Sequence, residues 1–179
     1  MKPKDHLQKK DRLLQAVIEA TDEIISNSLL EIAIGKVLVL LGIAMALDKA
    51  NIYIYAMETD GMAFVDHLAT WNADSDAVEY RLPDLQHIPA ALVPFALDVL
   101  GRNEMYAKAV RELEDHVLRN LLERRKVKSV ACLPIFVADR FWGFISFNDC
   151  RQERDWTCTE LSILQSFGVT LGAVIERSC

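Results

Sequence analysis

The sequence predicts an α+β fold in which long helices cover one face of a central antiparallel sheet. Three observations carry that expectation. Two helical stretches open the chain, two pairs of β-type segments are each joined by a short turn, and residues 157–179 return to a helical period. Strands joined by hairpins pair antiparallel, and apolar helices need a sheet face to cover.

The first helix is expected from about Asp5 to Ser26, where Leu7, Leu14, Val17, Ile18, Thr21, Ile24 and Ile25 recur at helical spacing. Asn27 and Ser28 interrupt it. The second, from about Leu29 to Leu47, is apolar almost all round and therefore buried on most sides. Ala50 to Met57 is rich in β-branched and aromatic residues, Glu58-Thr59-Asp60-Gly61 is a turn signal, and Met62 to Trp71 reads as the returning strand. Residues 72–88 are polar and carry no clear period. Ala90 to Leu100 is a short helix candidate shortened or kinked by Pro94, Met105 to Val110 a strand, and Glu112 to Lys126 a helix with a leucine stripe. Val127–Val137 and Phe141–Asp149 form the second hairpin around Ala138-Asp139-Arg140. A charged loop, 151–155, precedes a final helix that opens on Thr157-x-x-Glu160, a capping box in which each side chain satisfies the other's free backbone N–H.

With 179 residues the chain is long enough for one well-buried domain and short for two. The expected organisation is a single domain over 1–179, with an N-terminal helix (1–27), a sheet with insertions (28–156) and a C-terminal helix (157–179). A net charge of −6 argues against nucleic acid as a partner. The one basic cluster, Arg124-Arg125-Lys126 with Lys128, sits where cations complement a helix C-terminus. No signal-peptide core is present, and the longest apolar run, Val37 to Leu47, is about half of a bilayer span, so no membrane insertion is expected. Cys132, Cys150, Cys158 and Cys179 form no Cys-x-x-Cys pair and read as free thiols in a reducing cytoplasm.

Alternation along the strands sorts side chains onto two faces. Ile52 and Ile54 share one face with Ala131, Leu133, Ile135, and with Phe141, Gly143, Ile145 and Phe147. Tyr53 and Tyr55 share the other with Val130, Cys132, Pro134, and with Trp142, Phe144, Ser146 and Asn148. The first set suits packing under long helices. The second mixes aromatic walls with hydroxyls, a thiol and an amide, which is the chemistry of a ligand pocket. The competing reading is a second core layer beneath residues 88–126, its polar atoms bonded to backbone.

Residues 128–149, KSVACLPIFVADRFWGFISFND, resemble the late strand pair of GAF domains; Arg154-x-Trp156 with its capped helix, and ANIYIYAMETDG, resemble neighbouring segments of that family. The resemblance covers roughly residues 10–177 and is poor over 72–110. It implies a sheet of about six strands, terminal helices packed together on one face, and a pocket on the other. It places Tyr53, Tyr55, His116, Cys132, Phe144, Ser146 and Asn148 as ligand-binding candidates. The likeness is nearest to the phytochrome and cyanobacteriochrome branch, in which Tyr55 matches a pocket tyrosine, Asn148 stands where a histidine is usual, and the bilin-attachment cysteine falls near Asp115-His116-Val117, where this sequence has none. A covalent bilin is therefore not expected, and the ligand is left unidentified.

Free methionine sulfoxide reduction, an activity within the family, needs a cysteine-bearing loop that this chain does not match. His6, His67, His87 and His116 are scattered, so no metal is expected. The motif typical of cyclic-nucleotide-binding members is absent. No catalytic group is expected. Leu161, Leu164, Gly168, Leu171 and Ile175 alternate threes and fours as a coiled-coil seam does, which raises a ligand-free dimerisation module as the alternative. The overall expectation is a cytoplasmic sensor domain of a histidine kinase or cyclic-dinucleotide enzyme. It would bind a small ligand and form a homodimer through its terminal helices, with an output domain elsewhere in a longer chain.

Overall fold

The computed structural model describes residues 3–27 and 29–178. Ser28, Cys179 and the side chain of His6 lie outside the described residues. The chain forms α1 (Pro3–Ser26), α2 (Leu30–Ala44), β1 (Lys49–Met57), β2 (Ala63–Asn72), β3 (Ala77–Tyr80), β4 (Ile88–Pro89), α3 (Pro94–Gly101), β5 (Tyr106–Ala109), α4 (His116–Arg124), β6 (Ser129–Val137), β7 (Arg140–Asp149) and α5 (Cys158–Ser178). The sheet runs β3-β2-β1-β7-β6-β5 and is antiparallel throughout, with two-residue β4 beside β3 on the outer edge of β2.

Both predicted hairpins form. β1 and β2 turn at Glu58–Gly61, where Gly61 takes a φ of +85° that an L side chain rarely adopts. β6 and β7 are joined by Ala138 and Asp139, both at positive φ (48° and 59°), the geometry of a type I′ turn whose twist matches the strands. Segment 72–88, unassigned from sequence, supplies β3, a 3-10 turn at Pro83–Leu85 and β4. The helix expected over 90–100 starts four residues later, at Pro94, because a proline fits the first helical turn and not its interior. The helix expected over 112–126 likewise shortens to His116–Arg124 after a 3-10 turn at Val110–Glu112.

Helices α1, α2 and α5 occupy one side of the sheet. Phe147, Ile145, Leu133, Ile135 and Ile52 are fully buried against Leu38 and Leu41 of α2 and Leu164, Phe167 and Leu171 of α5. Each such side chain contributes about 1.5–3 kcal/mol on burial. The seam read along α5 is thus spent on this chain's own core. Gly168 and Gly172 let α5 lie directly on β6: a Cβ at Gly172 would overlap the Phe136 carbonyl oxygen. By length and composition α5 is apolar enough to cross a membrane, yet its apolar stripe faces the sheet.

Helix α1 departs from the sequence reading. It packs on α2 and α5 as an outer layer, through Leu13, Ala16, Ala20 and Ile24. Of the residues that recur at helical spacing, Ile24 is buried, whereas Leu7, Leu14, Ile18 and Ile25 are exposed. Leu13 and Ile24 bracket the small alanines in the inner contact, while Leu7, Leu14, Ile18 and Ile25 point outward.

Two β-bulges reassign faces. Ile52 pairs with Ala69 but Tyr53 pairs with His67, so Leu68 is an extra residue in β2. It joins the helix-side core, and His67 turns to the opposite face. In β7, Ile135 pairs with Gly143 and Phe136 with Phe141, leaving Trp142 extra. Trp142 packs with the helix-side core and Phe141 with the other cluster, the reverse of strict alternation.

Candidate ligand-binding site

The second face of the sheet is covered by α3, α4 and the segment that carries β4. Between them lies a cavity of about 100 Å³. Its floor comes from the three central strands: Asn51 and Tyr53 of β1, Cys132 of β6, and Phe144, Ser146 and Asn148 of β7. Its roof is aliphatic, with Ala96, Leu97 and Leu100 from α3 and Leu118, Leu121 and Leu122 from α4. The helices cover this face because their apolar stripes have no other surface to meet; Leu100, Leu113 and Leu122 join Tyr106, Val130 and Cys132 in one buried cluster.

Five of the seven candidates line this cavity: Tyr53, Cys132, Phe144, Ser146 and Asn148. Tyr55 lies outside it, one pleat further along β1, packed against Phe141 with ring centroids 5.3 Å apart. His116 is exposed at the first position of α4, in contact with Arg119, and takes no part in the lining.

The floor is organised. Tyr53 stacks on Phe144 at 5.0 Å and 21° and meets the edge of His67 at 5.4 Å. Ser146 donates its hydroxyl to Asn148 Oδ1 at 2.8 Å. Burial pushes the Tyr53 hydroxyl up to about 12, so it stays a protonated donor. Burial likewise pushes the Cys132 thiol up to about 12, with Ser146 opposing weakly. The thiol is therefore protonated at neutral pH, the reverse of a reactive thiolate.

Sequence reasoning missed a chain of hydrogen bonds beside the cavity. The Leu82 N–H donates to His67 Nδ1 at 3.1 Å, which fixes the proton on Nε2. Nε2 faces Thr70 Oγ1 at 2.5 Å, Thr70 donates to Asn51 Oδ1 at 2.7 Å, and Asn51 Nδ2 donates to the Ser146 carbonyl. Gln86 closes the far side on the His67 carbonyl at 2.9 Å. His67 and Thr70 are three residues apart, which places them on opposite faces of a regular strand; only the bulge at Leu68 unites them. Desolvation by burial lowers the His67 pKa from 6.5 to about 4. The folded state thus binds this proton less readily than the unfolded chain does. The contribution of His67 is fully present above pH 6.5 and is lost progressively as pH falls toward 4. A His67→Gln variant should remove much of the fall in melting temperature between pH 6.5 and 5, as read from paired thermal melts. An unchanged pH profile would show that His67 is not the titrating group.

Lys49 and Arg125 also line the cavity and are its only charged lining residues among the described ones. Arg125 follows the last turn of α4, where Lys126 at a φ of +60° ends the helix. Its guanidinium bonds Asp84 at 3.1 Å across the mouth. The sequence reading treated this residue as part of a helix-end charge cluster; nothing local shows that it turns inward. Among the described residues no group of three His, Cys, Asp or Glu side chains stands together.

An antiparallel sheet with two long terminal helices on one face and a small apolar cavity under short helices on the other defines a recognisable class of α+β module. The chain belongs to the GAF domain family, whose model matches residues 30–175. It is 33% identical over 174 residues to the methanogenesis regulatory histidine kinase FilI of Methanothrix harundinacea, a match that covers 96% of this chain and 19% of that protein. A shorter match, 36% over 56 residues, is to the circadian input-output histidine kinase CikA of Synechococcus elongatus, covering 31% of this chain and 7% of that protein. The chain thus spans about a fifth or less of the length of these relatives. Among solved structures, the phycocyanobilin-bound GAF domain of a cyanobacterial phytochrome superposes with a TM-score of 0.67 at 22% identity, covering 92% of this chain and 93% of that one. A far-red-absorbing dark state with bound biliverdin IXa gives 0.70 at 18% identity, covering 91% and 98%. These likenesses establish the fold.

Proposed function

We propose that this GAF domain is a non-catalytic, cytoplasmic sensor module of a histidine kinase, binding a small molecule between the sheet and the α3–α4 cover. Binding biases the packing of the terminal helices, a shift between two arrangements rather than a reaction. The observation that carries this reading is the cavity itself, an aliphatic roof over a floor with a few oriented polar groups. A protonated Cys132 thiol argues against reductase chemistry at this site.

A bilin does not fit these residues. The cavity of about 100 Å³ is well short of the roughly 300–1,000 Å³ that drug-sized ligands occupy, and residues 115–117 offer no thiol. The same volume is nearer to the roughly 150 Å³ of an engineered cavity that binds benzene.

Ala96, buried in the roof, is the natural place to test the reading. Native mass spectrometry of the purified protein should find a bound small molecule, or a thermal-shift screen should yield one. Ala96→Leu, which fills the cavity, should abolish that binding while the fold persists. A wild-type protein that retains nothing, together with ligand responses indifferent to Ala96→Leu, would end the sensor reading.

The exposed row Leu7, Leu14, Ile18 and Ile25 on α1 favours a second role alongside the first. Its spacing of seven, four and seven is that of a two-stranded seam, so we assign homodimerisation to α1.

A further inference from the structure

We infer that the ligand is a small monocarboxylate with an apolar body, its anionic end meeting Arg125 and its tail lying beneath α3 and α4; this rests on the sensor reading above. The chain carries 26 acidic residues against 20 basic ones, so an unselected cavity would be expected to show carboxylates. Instead, among the described residues, the only charged side chains lining it are Lys49 and Arg125.

Neither cation is committed to a strong partner. Lys49 makes no ion pair among the described residues. Arg125 holds only Asp84, whose side chain is 72% exposed, and a pair open to solvent on one side is a weak tether. Lys49 and Arg125 come from separate elements, β1 and the end of α4, and both border the same cavity. A planar guanidinium that can leave an exposed carboxylate for a desolvated one is well suited to bind a carboxylate in two-pronged fashion.

The remaining walls set the rest of the ligand. They are aliphatic apart from the floor amides, Ser146, Cys132 and the Tyr53–Phe144 stack. A tail of sugar or nucleotide type would leave its hydroxyls unpaired against Leu97, Leu100 and Leu118, at a steep cost. A volume of about 100 Å³ limits the body to roughly four to seven carbons. Short-chain fatty acids and simple aromatic acids meet all three conditions.

The test pairs each acid with its neutral counterpart: hexanoate with hexan-1-ol, and benzoate with benzyl alcohol, titrated by calorimetry into the 179-residue chain. The acids should bind at least tenfold more tightly than the alcohols. Arg125→Gln should bring each pair to parity, with alcohol binding retained as evidence of an intact fold. Lys49→Gln should weaken the acids alone and supplies a second variant if Arg125→Gln does not fold. Alcohols that bind as well as acids, and in competition with them, would overturn the anion inference and leave the sensor reading standing. Failure of all four probes to bind would overturn the anion inference alone; the sensor reading falls only if the purified protein also retains no small molecule and no ligand response is sensitive to Ala96→Leu.

Discussion

An Arg154→Ala variant is expected to lose about 3 kcal/mol of stability, a fall in melting temperature of roughly 10 °C for a chain of this size. The residue is a junction. Its guanidinium pairs with Glu160 at 2.7 Å, where the two side chains are 12% and 14% exposed. It also donates to the Met45 carbonyl at 2.7 Å, beyond the end of α2, and lies 4.7 Å over the Trp156 ring. Trp156 in turn donates to Ser129 Oγ at the start of β6. Removal therefore leaves a largely buried carboxylate without its cation and the Met45 carbonyl without its donor, and frees the start of α5 from the end of α2. The capping box remains, because Glu160 Oε2 still accepts from the Thr157 N–H and Thr157 Oγ1 from the Glu160 N–H.

The same variant should alter the acid limb of stability. Burial, the largest single influence on Glu160, raises its pKa, but the hydrogen bonds from Thr157 and Arg154 together outweigh it and the net direction is down. A depressed folded pKa contributes stability that is complete above the ordinary value of 4.5 and is lost as pH falls through the folded one. Without Arg154 the depression shrinks or reverses. The gap between wild-type and variant melts should then narrow as pH falls through the depressed Glu160 pKa. Parallel curves, or a loss under 1 kcal/mol, would mean the pair is solvated and marginal.

The second large effect concerns association. Ile18, 56% exposed in the middle of the outward row of α1, should lie close to the two-fold axis of a homodimer. Burying it contributes about 1.5–3 kcal/mol, and a symmetric interface counts it twice. Ile18→Lys should therefore weaken dimerisation at least a hundredfold, at about 1.4 kcal/mol per factor of ten. Analytical ultracentrifugation of both proteins across a concentration series is the measurement. The substitution faces away from α2 and α5, so the melting temperature of the monomer should hold. A wild type that sediments as a monomer throughout the series would remove the interface.

What was legible in the sequence follows from the range of the physics. Turn chemistry and strand alternation act over a few residues, so both hairpins, the capped α5 and the order of elements were readable. So was most of the cavity floor, because Tyr53, Cys132, Phe144, Ser146 and Asn148 lie in regular stretches. The bulges at Leu68 and Trp142 leave no local mark, and each displaces the alternation beyond it; His67 was missed and Phe141 placed on the wrong face for that reason. Segment 72–88 was unreadable because β3 and β4 are short edge strands, too brief to show a period. The stripe on α1 was right for Ile24 and Val17 but not for Leu7, Leu14, Ile18 and Ile25, because Leu13, Ala16 and Ala20 complete the inner contact instead. Alternation put Tyr55 with Tyr53 but could not show that the cavity stops short of it, His116 entered through family likeness, and Arg125 is near the cavity only because α4 ends where it does.

The alanine face of α1 has a mechanical consequence. Large interdigitated side chains hold two helices in one register, like teeth in a rack. Ala16 and Ala20 present a shallow surface to α2 and α5 between two such teeth, Leu13 and Ile24, and the Glu23–Lys36 pair at 2.6 Å adds a catch near the second. The shallow stretch lets the helices approach closely, while the two large side chains at its ends oppose translation along the helix axis. Helix α1 is thus held in one register, and a displacement of α2 or α5 would be passed on to the first helix as rigid-body movement rather than lost as slip.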